Sequence, residues 1–395
     1  MVRSQRLHVR PRKVRSRDVP APVQRMLWGK AAGRCEFAGC NVPLWKSSVT
    51  QEAVNRAQKA HIYSFGEGGP RGHDAIPEEA LNAVANLMLV CHQCHQKMDK
   101  ERDGGRYTAG LLQGWKADHE RRIEMVTGID PDRRSHVLLY GAGIGDHSSP
   151  LSFRPAAWAM FPDRYPADDR PIEIPTLNSW QRDRDEDFWR LEDDHLTRLF
   201  DRRVRERITD GDITHLSVFA LAPQPLLVRL GSLLTDIPEA DVYQRHREPQ
   251  TWEWQASSTG ISYEMNVPTE VTGPPVLVLS LSANIADERI TAVLGDHVTF
   301  WRLTIPDPDN DFLRSREQLL AFRVLVRRLL RLIKDAHGPG AVINVFPAAP
   351  VSVAVELGRV RQPKADLAMR IFDQVNDRGG FVPALTIGQA HRGAQ

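Results

Sequence analysis

The chain has 395 residues, 26% of them charged and 41% hydrophobic, with a formal net charge of +2 at pH 7. These proportions exclude a disordered or low-complexity chain, and the length allows two or three domains. The longest apolar runs, such as residues 276–281, have strand length, so no membrane span is expected, and a basic start with no signal-like apolar segment leads to the expectation of a reducing cytoplasm.

In chain order, the first feature is a basic run. Arg3, Arg6, Arg10, Arg12, Lys13, Arg15 and Arg17 precede the first acid, Asp18. Residues 1–20 read as an arm for the DNA backbone, as a solvated tail, or as a contact to a neighbouring subunit. Next come the only four cysteines, as Cys35-x4-Cys40 and Cys91-x2-Cys94. Two pairs at knuckle spacing, with none elsewhere, suit a tetrahedral structural zinc that closes a short module. Core cysteines or a redox pair would have no reason to fall twice at ligand spacing.

Between the pairs, His61 ends a short apolar stretch before a glycine-rich turn and Asp74. Residues 87–90 form a second apolar run, and 94–101 read as a helix stopped by Gly104 and Gly105. Two strands and a helix around a metal can cut a phosphodiester. His61 is the expected general base, because neutral imidazole accepts a proton near working pH. Asn86 is expected to orient that imidazole through its side-chain oxygen. His95, with Asp74 or His73, is expected to hold magnesium or manganese against the scissile phosphate. The alternatives are a solvated or core histidine, a turn-capping Asn86, a competing His92 and an Asx turn at Asp74.

A helix is predicted over 108–125 and a domain break at 127–134, followed by a strand at 137–140. The glycines of Gly141-Ala-Gly-Ile-Gly145 are too closely spaced for a dinucleotide loop and predict a tight turn. Residues 150–175 read as irregular chain. Beyond them, helices over 180–210, 223–234 and 315–337 alternate with strands at 215–221, 276–281, 298–305 and 341–346, which argues for α/β layers with a mostly parallel sheet. Two pseudo-equivalent halves fit this alternation, although no residue-level repeat stands out. Such sheets bind ligands beyond the carboxyl ends of their strands. Arg245, His246 and Arg247 are candidate phosphate contacts, and Trp252 and Trp254 candidate stacking faces, unless they form the core face of a strand. Lys364 is a further candidate.

The stretch with Cys35, Cys40, Ala60-His61-Ile62, Gly69-Pro70-Arg71, Asn86-Leu87, Cys91-His-Gln-Cys-His95 and residues 112–119 resembles an HNH endonuclease domain. The remainder, notably Tyr243-Gln-Arg-His-Arg247, Trp252-Glu-Trp254 and residues 346–358, resembles the SAVED domain. Together they are similar to HNH-SAVED effectors of bacterial CBASS anti-phage defence. The resemblance implies a zinc-stapled ββα-metal nuclease over 21–128, followed over 129–395 by an α/β SAVED sensor of two Rossmann-like, CARF-like halves. It also implies activation by a cyclic di- or trinucleotide from a partner nucleotidyltransferase, oligomerisation, and destruction of double-stranded DNA. The Cys-x4-Cys spacing departs from the Cys-x2-Cys common in HNH modules. An ungated restriction-like nuclease that senses modified DNA and a zinc-dependent DNA-binding regulator are the alternatives.

Overall fold

The computed structural model describes residues 18–66, 68–72, 76–100, 105–141, 151–177, 186–235, 239–255, 262–375 and 380–388. The basic run before Asp18, His73, Asp74 and residues 142–145 of the expected turn lie outside them. The chain divides into two units, Met1–Ile129 and Asp130–Gln395.

In the first unit, helix α1 (Ala21–Lys30) follows Pro20 and carries Pro22 in its first turn, where a missing N–H and a fixed φ suit a helix start. Strand β1 (Ala57–His61) pairs antiparallel with β2 (Leu87–Cys91), Ala57 opposite Cys91 and His61 opposite Leu87. Short helix α2 (Glu78–Leu81) lies between them in the chain, and α3 (His92–Met98) follows β2 directly. The helix starts before the predicted 94–101 because Cys91 caps it, its Sγ accepting the Cys94 N–H at 3.5 Å. Helix α4 (Ala109–Thr127) opens on Thr108, whose Oγ1 accepts from the Leu111 N–H at 3.3 Å. β2 is buried along its whole length, among Leu27, Leu44, Ile62 and Leu112. Buried Glu36 accepts the Leu89 N–H at 2.5 Å and faces Lys116 of α4 at 3.5 Å. Burial pushes this carboxyl up to about 7 against the pull of Lys116.

The second unit begins with β3 (Arg134–Gly141), α5 (Phe153–Met160), β4 (Tyr165–Pro166) and β5 (Ile172–Pro175). Stretch 150–175 is therefore not irregular. Ala156, Ala159 and Met160 bury one face of α5, and alternation of buried and exposed residues marks β5 as a strand. Pro155 falls in the first turn of α5, and Pro166 and Pro175 end β4 and β5, positions where proline is tolerated. Then α6 (Glu186–Phe200) runs through a π turn at Asp201–Arg205 into α7 (Glu206–Thr209), followed by β6 (His215–Leu221), α8 (Gln224–Leu234) and β7 (Glu239–Val242). The remaining elements are β8 (Glu264–Asn266), β9 (Pro275–Ser280), α9 (Asp287–Leu294), β10 (Thr299–Thr304), α10 (Arg316–His337), β11 (Val342–Ala348), α11 (Val351–Val360), β12 (Ala368–Val375) and β13 (Gly380–Ile387).

Two sheets result. In one, β5-β3-β6-β7 are parallel, with β4 also parallel to β3. In the other, β10-β9-β11-β12 are parallel, flanked by antiparallel β8 and β13. With short β4 and α7 set aside, the orders match: β3, α5, β5, α6, β6, α8, β7 against β9, α9, β10, α10, β11, α11, β12. A residue-level echo accompanies the match. Ala222-Pro223 and Leu230-Gly231 of the first half recur as Ala349-Pro350 and Leu357-Gly358 of the second, at a constant offset of 127 residues. Helices α8 and α11 pack against each other through those glycines. A Cβ on Gly231 would overlap the Val355 carbonyl oxygen, and one on Gly358 would overlap that of Val228, itself the 127-residue equivalent of Val355.

Beneath the first sheet lies a buried polar group. Ser135 Oγ meets His215 Nδ1 and Ser217 Oγ, each at 2.8 Å, and Arg164 Nε donates to Asp241 at 3.2 Å. Burial holds His215 down to about 4, against the opposing pull of Asp241.

Two outcomes follow from this packing. Gly358→Ala should destabilise the second unit by about 3 kcal/mol in chemical denaturation, because rigid backbone stands where the methyl must go. Stability should fall as pH drops from about 6.5 to about 4, since the unfolded chain takes a proton that folded His215 refuses. His215→Asn should flatten that slope by up to one proton.

Candidate functional site

The four thiols come together. Each cysteine of Cys35, Cys40, Cys91 and Cys94 offers one sulfur, and all four sulfurs lie within 4.8 Å of one another, Cys40 to Cys91 at 4.0 Å. A tetrahedral zinc with Zn–S bonds of about 2.3 Å needs sulfurs about 3.8 Å apart, so this shell fits such an ion after slight closure. The local sequence explains the convergence. Cys91 ends β2 and Cys94 sits one turn into α3, while the Cys35 N–H bonds the Val42 carbonyl at 3.0 Å and folds the first pair into a loop. The Cys91 N–H reaches Cys35 Sγ at 3.4 Å. Burial pushes the Cys35 thiol up to about 12, and burial with neighbouring sulfurs raises Cys94 further. At Cys91 burial is outweighed by hydrogen bonds from Cys94 and the other thiols, which lower it, and four thiolates this close repel one another unless a cation lies between them.

His61 stands at the other end of β1, four residues from Ala57, or about 13 Å at strand spacing. Helix α3 returns along the ribbon to it, and Arg71 fixes that return. Its buried guanidinium donates to the Ile62 carbonyl at 2.7 Å, the Met98 carbonyl at 2.7 Å, the His61 carbonyl at 3.4 Å and Asp99 Oδ1 at 2.9 Å. Asp99 Oδ2 in turn lies 3.4 Å from Nε2 of His95, both side chains about one-third exposed or more. His61 and His95 are thus tied to one arginine, at one end of a strand–strand–helix unit. Sequence reasoning missed Arg71 and Asp99 as members of this group, although the spacing of His95 and Asp99, four apart on a helical turn, is readable.

Asn86 differs from its expected place. Its Oδ1 accepts the Tyr63 N–H at 2.8 Å, and its Nδ2 donates to the carbonyls of Tyr63 and Leu81 at 3.1 and 2.9 Å. It braces the main chain that leaves β1. The side chain beside the His61 ring belongs to Asn82, Oδ1 to Nε2 at 3.1 Å. Asp74 lies outside the described residues.

In the second unit, the loop after β7 carries Arg245, His246 and Arg247, which with Ser152 before α5 and Pro155 and Trp158 within it line a cavity of about 1050 Å³. It opens at the carboxyl end of β7, beside the helix that follows β3. Arg245 is half-buried, its guanidinium 5.8 Å above the Trp252 ring, with no carboxylate partner among the described residues. Burial lowers its pKa. Arg247 is exposed, and Glu248 and Glu253 also line the cavity. His246 is fully buried, held down to about 4 by burial, and neither ring nitrogen has a hydrogen-bond partner among the described residues. Asp311 knits this loop through the Arg247 and Glu248 N–H groups, each at 3.2 Å, and through Arg314 at 2.8 Å.

Both tryptophans depart from the stacking expectation. Trp252 is 1% exposed and sits edge-on to Phe219 at 5.3 Å; Trp254 packs half-buried against the same core. Their rings fill the space between the sheet and the loop, so core packing prevails. Lys364 is exposed in the turn before β12 and does not line the cavity.

Asn86→Ala should leave the Tyr63 amide unpaired and destabilise the first unit by about 2 kcal/mol. Faster hydrogen exchange at Tyr63 and a lower first thermal transition would be the measured signs.

Residues 196–387 match the family model described as the SMODS-associated and fused to various effectors sensor domain, SAVED. No curated protein matches the chain. Among solved structures, the chain is similar to the Cap4 SAVED/CARF-domain containing receptor of Acinetobacter baumannii with the cyclic trinucleotide 2'3'3'-cAAA, at 11% identity and TM-score 0.42, covering 71% of this chain and 56% of that one. The same receptor in another structure gives 12% identity and TM-score 0.40, covering 80% of this chain and 66% of that one. The Moraxella osloensis Cap4 receptor gives 10% identity and TM-score 0.40, covering 71% and 59%. The chain thus spans 56–66% of the length of these three receptor chains. No helix among the described residues is long and apolar enough to cross a membrane. The second unit of this chain therefore carries a SAVED sensor domain over residues 196–387.

Proposed function

We propose that the protein is a cyclic-oligonucleotide-activated, metal-dependent HNH endonuclease that cuts double-stranded DNA as the effector of a CBASS-type anti-phage system. The observation that carries this reading is one polypeptide with a four-thiol cluster, His61 and His95 on a strand–strand–helix unit, joined to a SAVED domain. Cys35, Cys40, Cys91 and Cys94 would hold zinc, and a closed four-thiolate shell has a structural role only. His95 would hold magnesium or manganese, with Asp74 or Asp99 as its carboxylate neighbour. A divalent ion bound there neutralises charge on the scissile phosphate and the departing oxygen. His61 takes the proton of the attacking water, and Arg71 keeps the strand that carries it against α3.

The cavity beside Arg245 supports the sensor half of the reading. A half-buried guanidinium with no carboxylate partner among the described residues favours an anion, and a bound phosphate would supply the polar partner that burial has removed. The trigger is a cyclic di- or trinucleotide made by a partner nucleotidyltransferase in the cytoplasm. It acts by binding the assembled oligomer more tightly than the resting protein, since a ligand shifts an equilibrium only by that difference.

The test is plasmid cleavage by the purified protein with magnesium or manganese, with and without a panel of cyclic di- and trinucleotides. Cleavage with one signal only is expected, and His61→Ala should abolish it while DNA binding persists. Arg245→Ala should weaken that signal's binding by about tenfold or more. Cleavage without any signal would move the reading to an ungated nuclease, and none from folded, zinc-loaded protein under any condition would end the nuclease assignment.

A further inference from the structure

We propose that Asn82 is the positioning residue for His61 and decides which imidazole nitrogen carries the proton; this rests on the reading of His61 as the nuclease base. His61 Nε2 lies 3.1 Å from Asn82 Oδ1. An amide oxygen has only lone pairs to offer, so the ring must present an N–H to it. In the neutral imidazole the basic lone pair is then at Nδ1, the nitrogen that takes the proton from water.

The fold separates two asparagines that the sequence places four residues apart. Asn86, which the motif order nominates, is engaged at three points with main-chain groups of Tyr63 and Leu81. Asn82 ends α2, anchored by its own N–H on the Glu78 carbonyl at 3.1 Å, and is 8% exposed. A short 3-10 turn, Val84–Asn86, lies between them, and the Ile62 N–H donates to the Asn86 carbonyl at 2.8 Å, so both asparagines are held against the end of β1. One governs the backbone and the other the ring. Arg71 adds a third restraint by donating to the His61 carbonyl at 3.4 Å. An amide suits the task because it fixes a tautomer without bringing a charge that would favour imidazolium over the base form.

The experiment uses the full chain, zinc-loaded and labelled with 15N-histidine, with the His61 signals assigned by comparison with His61→Gln. Long-range proton–nitrogen correlation should show the Nε2–H tautomer in the wild type and its loss in Asn82→Ala. In cleavage assays with manganese and the activating cyclic nucleotide, Asn82→Ala should lower kcat about 100-fold, with KM for DNA and zinc content unchanged. Asn82→Asp, which keeps an oxygen at that point, should recover at least about a tenth of the wild-type kcat. A wild-type His61 protonated on Nδ1, or an Asn82→Ala protein with wild-type kcat, would overturn the proposal. If the tautomer behaves as expected but wild-type protein cuts no DNA with any metal or signal, the catalytic role falls with the nuclease reading while the contact stands.

Discussion

The close approach of α8 and α11 sets the geometry of the whole second unit. Each helix brings a glycine to the crossing, and each glycine faces the carbonyl oxygen of the other helix's equivalent valine. Helices normally pack 8–10 Å apart because side chains intervene; removal of the Cβ at both positions lets backbone meet backbone. Two sheets that could each have folded as a separate layer are thereby drawn onto one continuous core, which runs from Leu138 and Leu216 to Leu277 and Val345. Polar contacts reinforce it near the helix starts. Gln224 donates to the Ala349 carbonyl, and Ser352 bonds Gln244 through both its N–H and its hydroxyl. Loops after β7 and β11 are thus held on a shared scaffold, where binding loops of α/β proteins are usually found.

The first unit solves a different problem. Its ribbon is only five residues long on each side, too short to stand alone, and two devices hold it from opposite ends. At one end the four thiols gather two distant segments. At the other, Arg71 collects carbonyls from β1, from the residue after it and from the end of α3. Arg71 itself adopts φ +58, a left-handed conformation uncommon outside glycine and asparagine. Four hydrogen bonds from one buried cation can offset such local strain. The same arrangement brings His61 and His95 to the Arg71 end.

Burial separates neighbouring residues of the loop after β7 into different roles. His246 is buried and stays neutral; Arg247 faces water; Arg245 between core and cavity keeps its charge at a desolvation cost. Three consecutive basic residues would look alike as a charge cluster. Only Arg245 carries a desolvated charge with no counter-charge among the described residues, and it does so at the wall of the cavity.

Much of the plan is legible in the sequence. Paired cysteines announce a four-thiol cluster because ligand spacing is a local property, and the alternation of helical and strand periods announces α/β layers because each element buries its own face. The helices at 223–234 and 315–337 and the strands around 276–281 and 298–305 are local in the same sense. What only the tertiary structure decided depends on partners far apart in the chain. Asn82 and Asn86 have identical side chains, and whether an amide meets an imidazole or a peptide group depends on how the α2 segment is laid against β1. Trp252 could face a ligand or the core, and Phe219, more than thirty residues away, settles it. The repeat over 127 residues is carried by a few positions at one helix crossing, since the rest of each half needs only apolar residues of suitable size. Sequence determines local chemistry and period, while the pairing of distant groups follows from backbone geometry that no short window of residues contains.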